Sequence, residues 1–374
     1  MDKRDLAIYI HVPFCKSRCH YCDFLSNVAC DVAIEKYVVA LVSDIKGSGS
    51  LSEGYIVKTI FFGGGTPSLL SEKQLGDVLQ AIKNTFTLDP NVYISIEINP
   101  DAKGFGGFLV LKDLGFSRIS FGVQSFDNGE LAMLGRIHSS EEAVDAVLEA
   151  YEAGFRDINV DLMFGLPNQA IESLAKTLKT ATSLPITHIS CYSLTVEEGT
   201  PLASNHALLD KMPEEDAERA MYHHVKGFLA GEGFGHYEIS NWAKEGFECK
   251  HNKTYWTGGE YLGLGLGASS YLNKARLKKT DDVGEYLAGG YDLIHIEDID
   301  QDEEMREFVI LGLRMLGGIS VAEFQRRFAK GIFEVFGEVL REMIEEGFLE
   351  QEGDKIRLTS KGLDLANVVM GAFI

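Results

Sequence analysis

Along the first half of the chain, short runs dominated by apolar residues alternate with longer stretches in which apolar residues return every three or four positions. The short runs are AIYIHV (7–12), TIFFGG (59–64), YISIEI (93–98), RISFGV (118–123), DINVDLMF (157–164) and HISCYSL (188–194). Each has the length and the β-branched and aromatic content of a buried strand. Between them SEKQLGDVLQAIKNTF, SSEEAVDAVLEAYEAGF and AIESLAKTLKTAT carry the spacing of amphipathic helices. The repeated alternation predicts an α/β fold, a parallel sheet with crossover helices that is either open or a complete or partial barrel. A barrel is favoured by where the unusual residues fall. Cys15, Gly63 to Thr66, Glu97, Gln124, Asp161 and Tyr192 stand at or just past the C-terminal ends of their strands, the rim on which βα loops build active sites.

After residue 200 the pattern changes. A charged helix (PEEDAERAMYHHVKGFLAGEGF) leads into an aromatic, glycine-rich stretch ending in GLGLGASSY, and from about residue 300 into a helix, two shorter helices and a hairpin turning at Gly353. The expected division is therefore a barrel over 1–230, a segment completing its site over 231–290, and a smaller winged-helix-like α+β region over 291–374. The last is not expected to bind DNA. Residues 319–361 hold nine acidic against seven basic side chains, whereas groove binders present a basic face.

Charge sharpens this. A formal net charge of −21 over 374 residues opposes any surface that tracks phosphates or anionic lipid, so no nucleic-acid partner is expected. No run approaches the ~18 apolar residues of a membrane span, and the first residues are too short an apolar stretch for a signal peptide. A cytoplasmic protein is expected, in which six cysteines are not a disulfide framework.

Three of those cysteines fall in CKSRCHYC, a CxxxCxxC spacing at Cys15, Cys19 and Cys22 just after the first strand. Scattered intracellular cysteines are usually buried small hydrophobes, but clustering argues for ligands. A structural zinc site wants four ligands, with Cys30 or His20 available in principle and no second CxxC-like knuckle present. An iron–sulfur cluster on three thiolates leaves one iron open for a small molecule. Glu97 and Asp161 end otherwise apolar strands, where an unpartnered carboxylate is costly and a cationic or hydroxyl-rich ligand would offset the cost. Three consecutive glycines, Gly63 to Gly65, let the backbone approach a ligand closely, and Thr66 adds a hydroxyl.

The cysteine spacing, together with GGGTP (63–67), IEINP (96–100), FGVQSF (121–126) and NVDLMFGLP (159–167) in that order, resembles the radical S-adenosylmethionine (SAM) superfamily over essentially the whole chain. The branch it resembles contains oxygen-independent coproporphyrinogen III oxidase and a heme-chaperone relative. The resemblance implies a partial parallel (β/α)6 TIM-like barrel and a [4Fe-4S] cluster on Cys15, Cys19 and Cys22. It also implies SAM bound near Tyr9, Tyr21, Gly64, Gly65, Thr66, Glu97, Gln124, Arg136 and Asp161. A solvated helix charge is the alternative for Arg136.

Two departures separate the chain from the oxidase pattern: Phe24 stands where that pattern has a further cysteine, and only fourteen residues precede Cys15. In turn, HNKTYW (251–256) resembles the HNxxYW signature of the heme-chaperone branch. A neutral His251 imidazole is a possible axial ligand to heme iron, and Tyr255 and Trp256 offer aromatic surface to a porphyrin face. By residue type alone, His251 also reads as a hydrogen-bonded core histidine, and Cys249 as a second possible iron ligand or a buried thiol. The expected function is a heme chaperone that passes heme to an acceptor hemoprotein, with an electron donor the sequence does not identify. The alternatives are SAM-dependent oxidative decarboxylation of coproporphyrinogen propionates and SAM chemistry on an unrelated substrate.

Overall fold

Six strands in the first half of the chain each carry one apolar face, and that face builds the sheet. The computed structural model describes residues 3–28, 30–101 and 104–374. In it β1 (Arg4–Val12) is followed by a two-residue ladder, β2 (Phe14–Cys15) with β3 (Asn27–Val28), and then by β4 (Tyr55–Gly64), β5 (Leu88–Ile98), β6 (Arg118–Gln124), β7 (Asp157–Phe164) and β8 (His188–Ser193). Strands β1, β4, β5, β6, β7 and β8 pair in parallel in that order. Alternate residues such as Ile8, Ile10, Ile60, Phe62, Ile94, Ile96, Ile119 and Phe121 are buried against the crossover helices, among them 31–47, 72–85, 140–152 and 171–183. Each fully buried side chain of that kind contributes about 1.5–3 kcal/mol. The intervening residues must therefore lie on the other face. They are polar to an unusual degree: Thr59, Ser95, Glu97, Ser120, Asn159, Asp161, His188 and Ser190.

The sheet is wider than the sequence pattern suggests. On the β8 side it gains β9 (Gly235–Glu238) and β10 (Asn241–Ala243), both antiparallel. Beyond β1 comes β11 (Tyr261–Leu264), parallel to it, and then an antiparallel run of β12 (Ser269–Leu272), β13 (Ala275–Lys278) and β14 (Ile294–Asp298). The sequence reading gives 231–290 as an aromatic and glycine-rich segment completing the site, with no strands assigned. Its strands are three to four residues long and interrupted by Gly263, Gly265 and Gly267, so they show no period of their own and are defined by pairing with neighbours.

A buried ion pair pins this region to the first half. Lys279 Nζ lies 2.7 Å from Asp44 Oδ1, with both side chains at most 1% exposed. The other oxygen of Asp44 accepts from Gly265 N and the Tyr286 hydroxyl, each at 3.0 Å. Such a pair stabilises only when its remaining lone pairs are satisfied, as they are here.

Residues 301–373 form a second core around Phe324, Phe328, Leu340 and Ile356. It contains helices 301–312, 321–328 and 332–345 and a three-stranded sheet of β15 (Ile319–Ser320), β17 (Lys355–Leu358) and β16 (Leu349–Glu352). The β16–β17 hairpin turns at Gly353, whose φ of 57° suits glycine. Backbone bonds from Leu316 to Tyr237 and from Ile239 to Arg314 join this core to the sheet end. No helix among the described residues is long and apolar enough to cross a membrane.

Candidate functional site

The loop after β1 is held in place by the loop after β4. Gly65 N donates to Val12 O at 2.8 Å and Thr66 N to Phe14 O at 2.6 Å. A Cβ at Gly65 would stand 2.5 Å from Phe14 O, and one at Gly64, where φ is 111°, would stand 2.6 Å from the His11 ring. The glycine run is thus required first by contact between the two loops, which sequence reasoning assigned to a ligand. At the loop's apex His20 N donates to Leu134 O, and its Nδ1 donates to Met133 O. That commits His20 to the end of helix 128–134. Cys30 precedes helix 31–47 and is exposed.

Cys15, Cys19 and Cys22 are free and line one cleft together with Tyr21, Gly64, Gly65, Thr66, Glu97, Asn99, Gln124, Arg136 and Asp161. The Thr66 hydroxyl donates to Cys15 Sγ at 3.6 Å, and Arg136 Nη1 donates to Cys19 Sγ at 3.4 Å. Asn99 joins the two donors: its amide nitrogen donates to Thr66 Oγ1 at 3.0 Å, and its oxygen accepts from Arg136 Nη2 at 2.8 Å. The register slips between Gly122 and Gln124, and Gln124 takes a φ of 70°. A bulge of this kind re-aims a side chain, here into the cleft. Arg136 also donates to Gly122 O, and its Nε, shielded from solvent, has no partner among the described residues. This excludes the solvated helix charge.

Neither carboxylate of the cleft has an ion-pair partner among the described residues. Burial and the nearby Asp161 push Glu97 up to about 8, against a hydrogen bond from Gly64 N. Burial also raises Asp161, opposed by hydrogen bonds from Ser190, Asn159 and Ser120. Two acids with no ion-paired cation among the described residues, beside three thiols and an under-used guanidinium, make a cleft suited to a zwitterionic, cation-bearing ligand.

Tyr9 is not in that cleft. It lies on its wall: a Cβ at Gly63 would be 3.0 Å from the Tyr9 ring and 3.1 Å from Glu97 Oε2. The Tyr9 hydroxyl meets His11 Nδ1 at 3.0 Å, and His11 Nε2 donates to Leu25 O at 2.9 Å. On the other side Tyr9 lines a second cavity of about 490 Å³ with Tyr255, Trp256, Tyr261 and Tyr271. His251 does not line it. Its Nδ1 is 2.8 Å from Thr59 Oγ1, its Nε2 is 2.8 Å from the Tyr255 hydroxyl, and its ring stacks on Phe61. Only 1% of His251 is exposed, and burial lowers its pKa to about 3. Both nitrogens are occupied, so the expected free axial imidazole is not what the fold presents. Tyr192 and Cys249 lie outside both cavities.

A family model described as the radical SAM superfamily matches residues 9–181, and one described as the HemN C-terminal domain matches 299–365. A protein of Bacillus subtilis (strain 168) named heme chaperone HemW is 35% identical, over 98% of this chain and 99% of its own length. The heme chaperone HemW of Escherichia coli (strain K12) is 34% identical over 99% and 98%. The chain belongs to the HemW family of the radical SAM superfamily. The HemW-family fold is shared with coproporphyrinogen III oxidase (HemN) from Escherichia coli, with a TM-score of 0.88 at 23% identity over all of this chain and 91% of that one.

Within this HemW-family site, sequence reasoning missed Asn99, although it lies in the quoted IEINP, because its value rests on Thr66 and Arg136 from other loops. It also missed Arg118, a buried cation outside the cleft lining that pairs with Asp157 at 2.6 Å and whose field opposes the rise of Asp161. An arginine opening an apolar strand was the available signal.

Proposed function

We propose that the chain is a radical SAM-type [4Fe-4S] protein that binds heme and transfers it to acceptor hemoproteins. The observation that carries this reading is end-to-end similarity, at 33–35% identity, to several proteins that bear the name heme chaperone. In this reading Cys15, Cys19 and Cys22, free and lining one cleft, would hold the cluster. Bound there, the cluster supplies an open iron to SAM and a low-potential electron.

The chain's own residues then bind and orient. Glu97 takes the ligand's cationic end, Asp161 its hydroxyls, and Arg136 its carboxylate through donors not fully used. Gly64, Gly65, Thr66 and Gln124 shape the cleft, Tyr21 closes it, and Tyr9 separates it from the aromatic cavity. The finer architecture belongs to the same proposal: a partial (β/α)6 TIM-like barrel over 1–230, a segment completing the site over 231–290, and a winged-helix-like region over 291–374, in a cytoplasmic protein.

The competing reading is oxidative decarboxylation of coproporphyrinogen III. Phe24, 62% exposed at the cleft mouth, stands where the oxidase motif has a cysteine and favours the chaperone. The test is a heme titration of the anaerobically reconstituted protein, paired with incubation with coproporphyrinogen III, SAM and a reductant. Stoichiometric heme binding without protoporphyrinogen is expected; product formation would move the protein to the oxidase class. Cys15→Ala, Cys19→Ala and Cys22→Ala should each lose the cluster's visible absorption, and Cys30→Ala should keep it.

A further inference from the structure

The polar side chains on the sheet face turned away from the crossover helices stand in layers set by register. In the parallel pairing Ser120 lies beside Asn159 and Asn159 beside His188, and two residues further along β7 Asp161 lies beside Ser190. Residues two apart on a strand share a face, so the lower layer supports the carboxylate above it. Asn159 and His188 are at most 1% exposed, and a buried amide and imidazole are costly unless their hydrogen bonds are made. Here they are made, and they run one way. Cys249 N donates to the Tyr237 hydroxyl oxygen at 3.2 Å, and that hydroxyl donates to His188 Nε2 at 2.9 Å. His188 Nδ1 donates to Asn159 Oδ1 at 2.6 Å, and Asn159 Nδ2 donates to Asp161 Oδ1 at 2.7 Å. The same amide nitrogen donates to Ser120 Oγ at 2.7 Å, and the Ser120 hydroxyl donates to Asp161 Oδ2 at 3.2 Å.

The direction follows from the groups themselves. An amide oxygen cannot donate, so the hydrogen facing it sits on His188 Nδ1, which leaves Nε2 bare to accept from Tyr237. Burial and the nearby Arg118 charge keep the ring neutral. Each Asp161 oxygen thus receives a donor from within the protein, while Asp161 itself lines the cleft. A chain of donors ending on one carboxylate holds it in a single orientation and favours its role as an acceptor. We propose that His188 is a positioning residue: acting through Asn159, with Tyr237 fixing its tautomer, it holds Asp161 as a hydroxyl acceptor and so makes the cleft select a ligand with an intact ribose diol. This rests on the SAM reading of the cleft and names what sets its specificity.

The test is equilibrium dialysis of the anaerobically reconstituted full-length protein with SAM and with its 2′-deoxy and 3′-deoxy forms, the cluster's visible absorption being recorded for each variant. Wild type should bind SAM about tenfold tighter than at least one deoxy form. His188→Leu, of similar size with no polar side-chain atom, should weaken SAM about tenfold and leave that deoxy form unchanged, so the discrimination disappears. Tyr237→Phe, at a position that lines neither cavity, releases the tautomer and should reduce the discrimination roughly threefold with the cluster absorption intact. His188→Asn, whose amide nitrogen can stand near the Nδ1 position, should retain it. Equal weakening for SAM and both deoxy forms in His188→Leu and Tyr237→Phe, or no weakening in either, would make His188 a packing residue and overturn the assignment. Lack of discrimination by wild type would overturn it by showing that Asp161 does not meet the ribose. Failure of cluster-loaded wild type to bind SAM would instead remove the SAM reading itself.

Discussion

Glu97 carries a charge problem that the apo protein solves by keeping its proton. Its carboxyl is raised from an ordinary value of 4.5 to about 8, so between those pH values the folded state holds a proton that the unfolded state has released. Stability must then fall as pH rises from 4.5 to 8 and level off above. Glu97→Gln removes this slope, and urea unfolding of apo protein at pH 5 and pH 8.5 should show the variant gaining on wild type only at the higher pH. The gain is on the order of 2–3 kcal/mol, discounted for the part of the side chain that faces the cleft. Asn99 sets a different quantity. In Asn99→Asp a carboxylate takes the Thr66 hydroxyl proton away from Cys15 and neutralises Arg136, so the cluster loses a donor and a positive field. Its midpoint potential in a mediated redox titration should move negative; an unchanged potential would show Asn99 to be a packing residue. Glu97, Asp161 and the cysteines were legible because each is chemically out of place in its own segment. Asn99 and the position of Tyr9 on the cleft wall were not, because each is defined by partners that only the fold brings near, whereas the hydrogen-bonded state of His251 is one that residue type alone already offers.

At the scale of elements, the loops of β1 and β4 behave as one unit. Gly65→Ala puts a methyl 2.5 Å from Phe14 O, and backbone cannot yield as a flexible side chain does. The variant should lose about 1–3 kcal/mol and, more tellingly, retain less iron and sulfide per chain. Gly76, inside helix 72–85, offers the contrast: an added Cβ meets only Leu114 Cδ2 at 3.7 Å. Gly76→Ala should stabilise by up to about 1 kcal/mol with full cluster content, both read from thermal melts and metal analysis. The parallel core was readable from sequence because its strands are buried on one face by apolar residues and punctuated by helices. Strands β9 to β14 were not, since residues such as Tyr261 and Gly263 take their conformation from Ala7 and Tyr9 across the ladder.

On the scale of the molecule there are two hydrophobic cores, with Tyr222 packed against both and the Lys274–Glu304 and Arg314–Glu238 ion pairs joining the sheet to the C-terminal part, and calorimetry tests whether they melt together. Phe324 is fully buried among Phe308, Phe328 and Phe336. Phe324→Ala should cost the C-terminal core about 3–5 kcal/mol. Calorimetry should then show an early transition at which the iron–sulfur absorption is still present; a single transition with simultaneous bleaching would mean the cores are one cooperative unit.

The pairing of β11 with β1 has a consequence in time. Strand β1, which leads directly into the three cysteines, has β4 on one side but waits for residues 261–264 on the other. A ribosome adding roughly 5–20 residues per second leaves that flank open for on the order of 10–50 s after the cysteines are made. During this interval the thiols sit on an unfinished edge, within reach of assembly factors and of oxidants alike. Closure by β11 ends the time for which that flank of β1 is open, so translation speed through the middle of the chain sets how long the nascent sheet presents an unpaired edge beside the three cysteines.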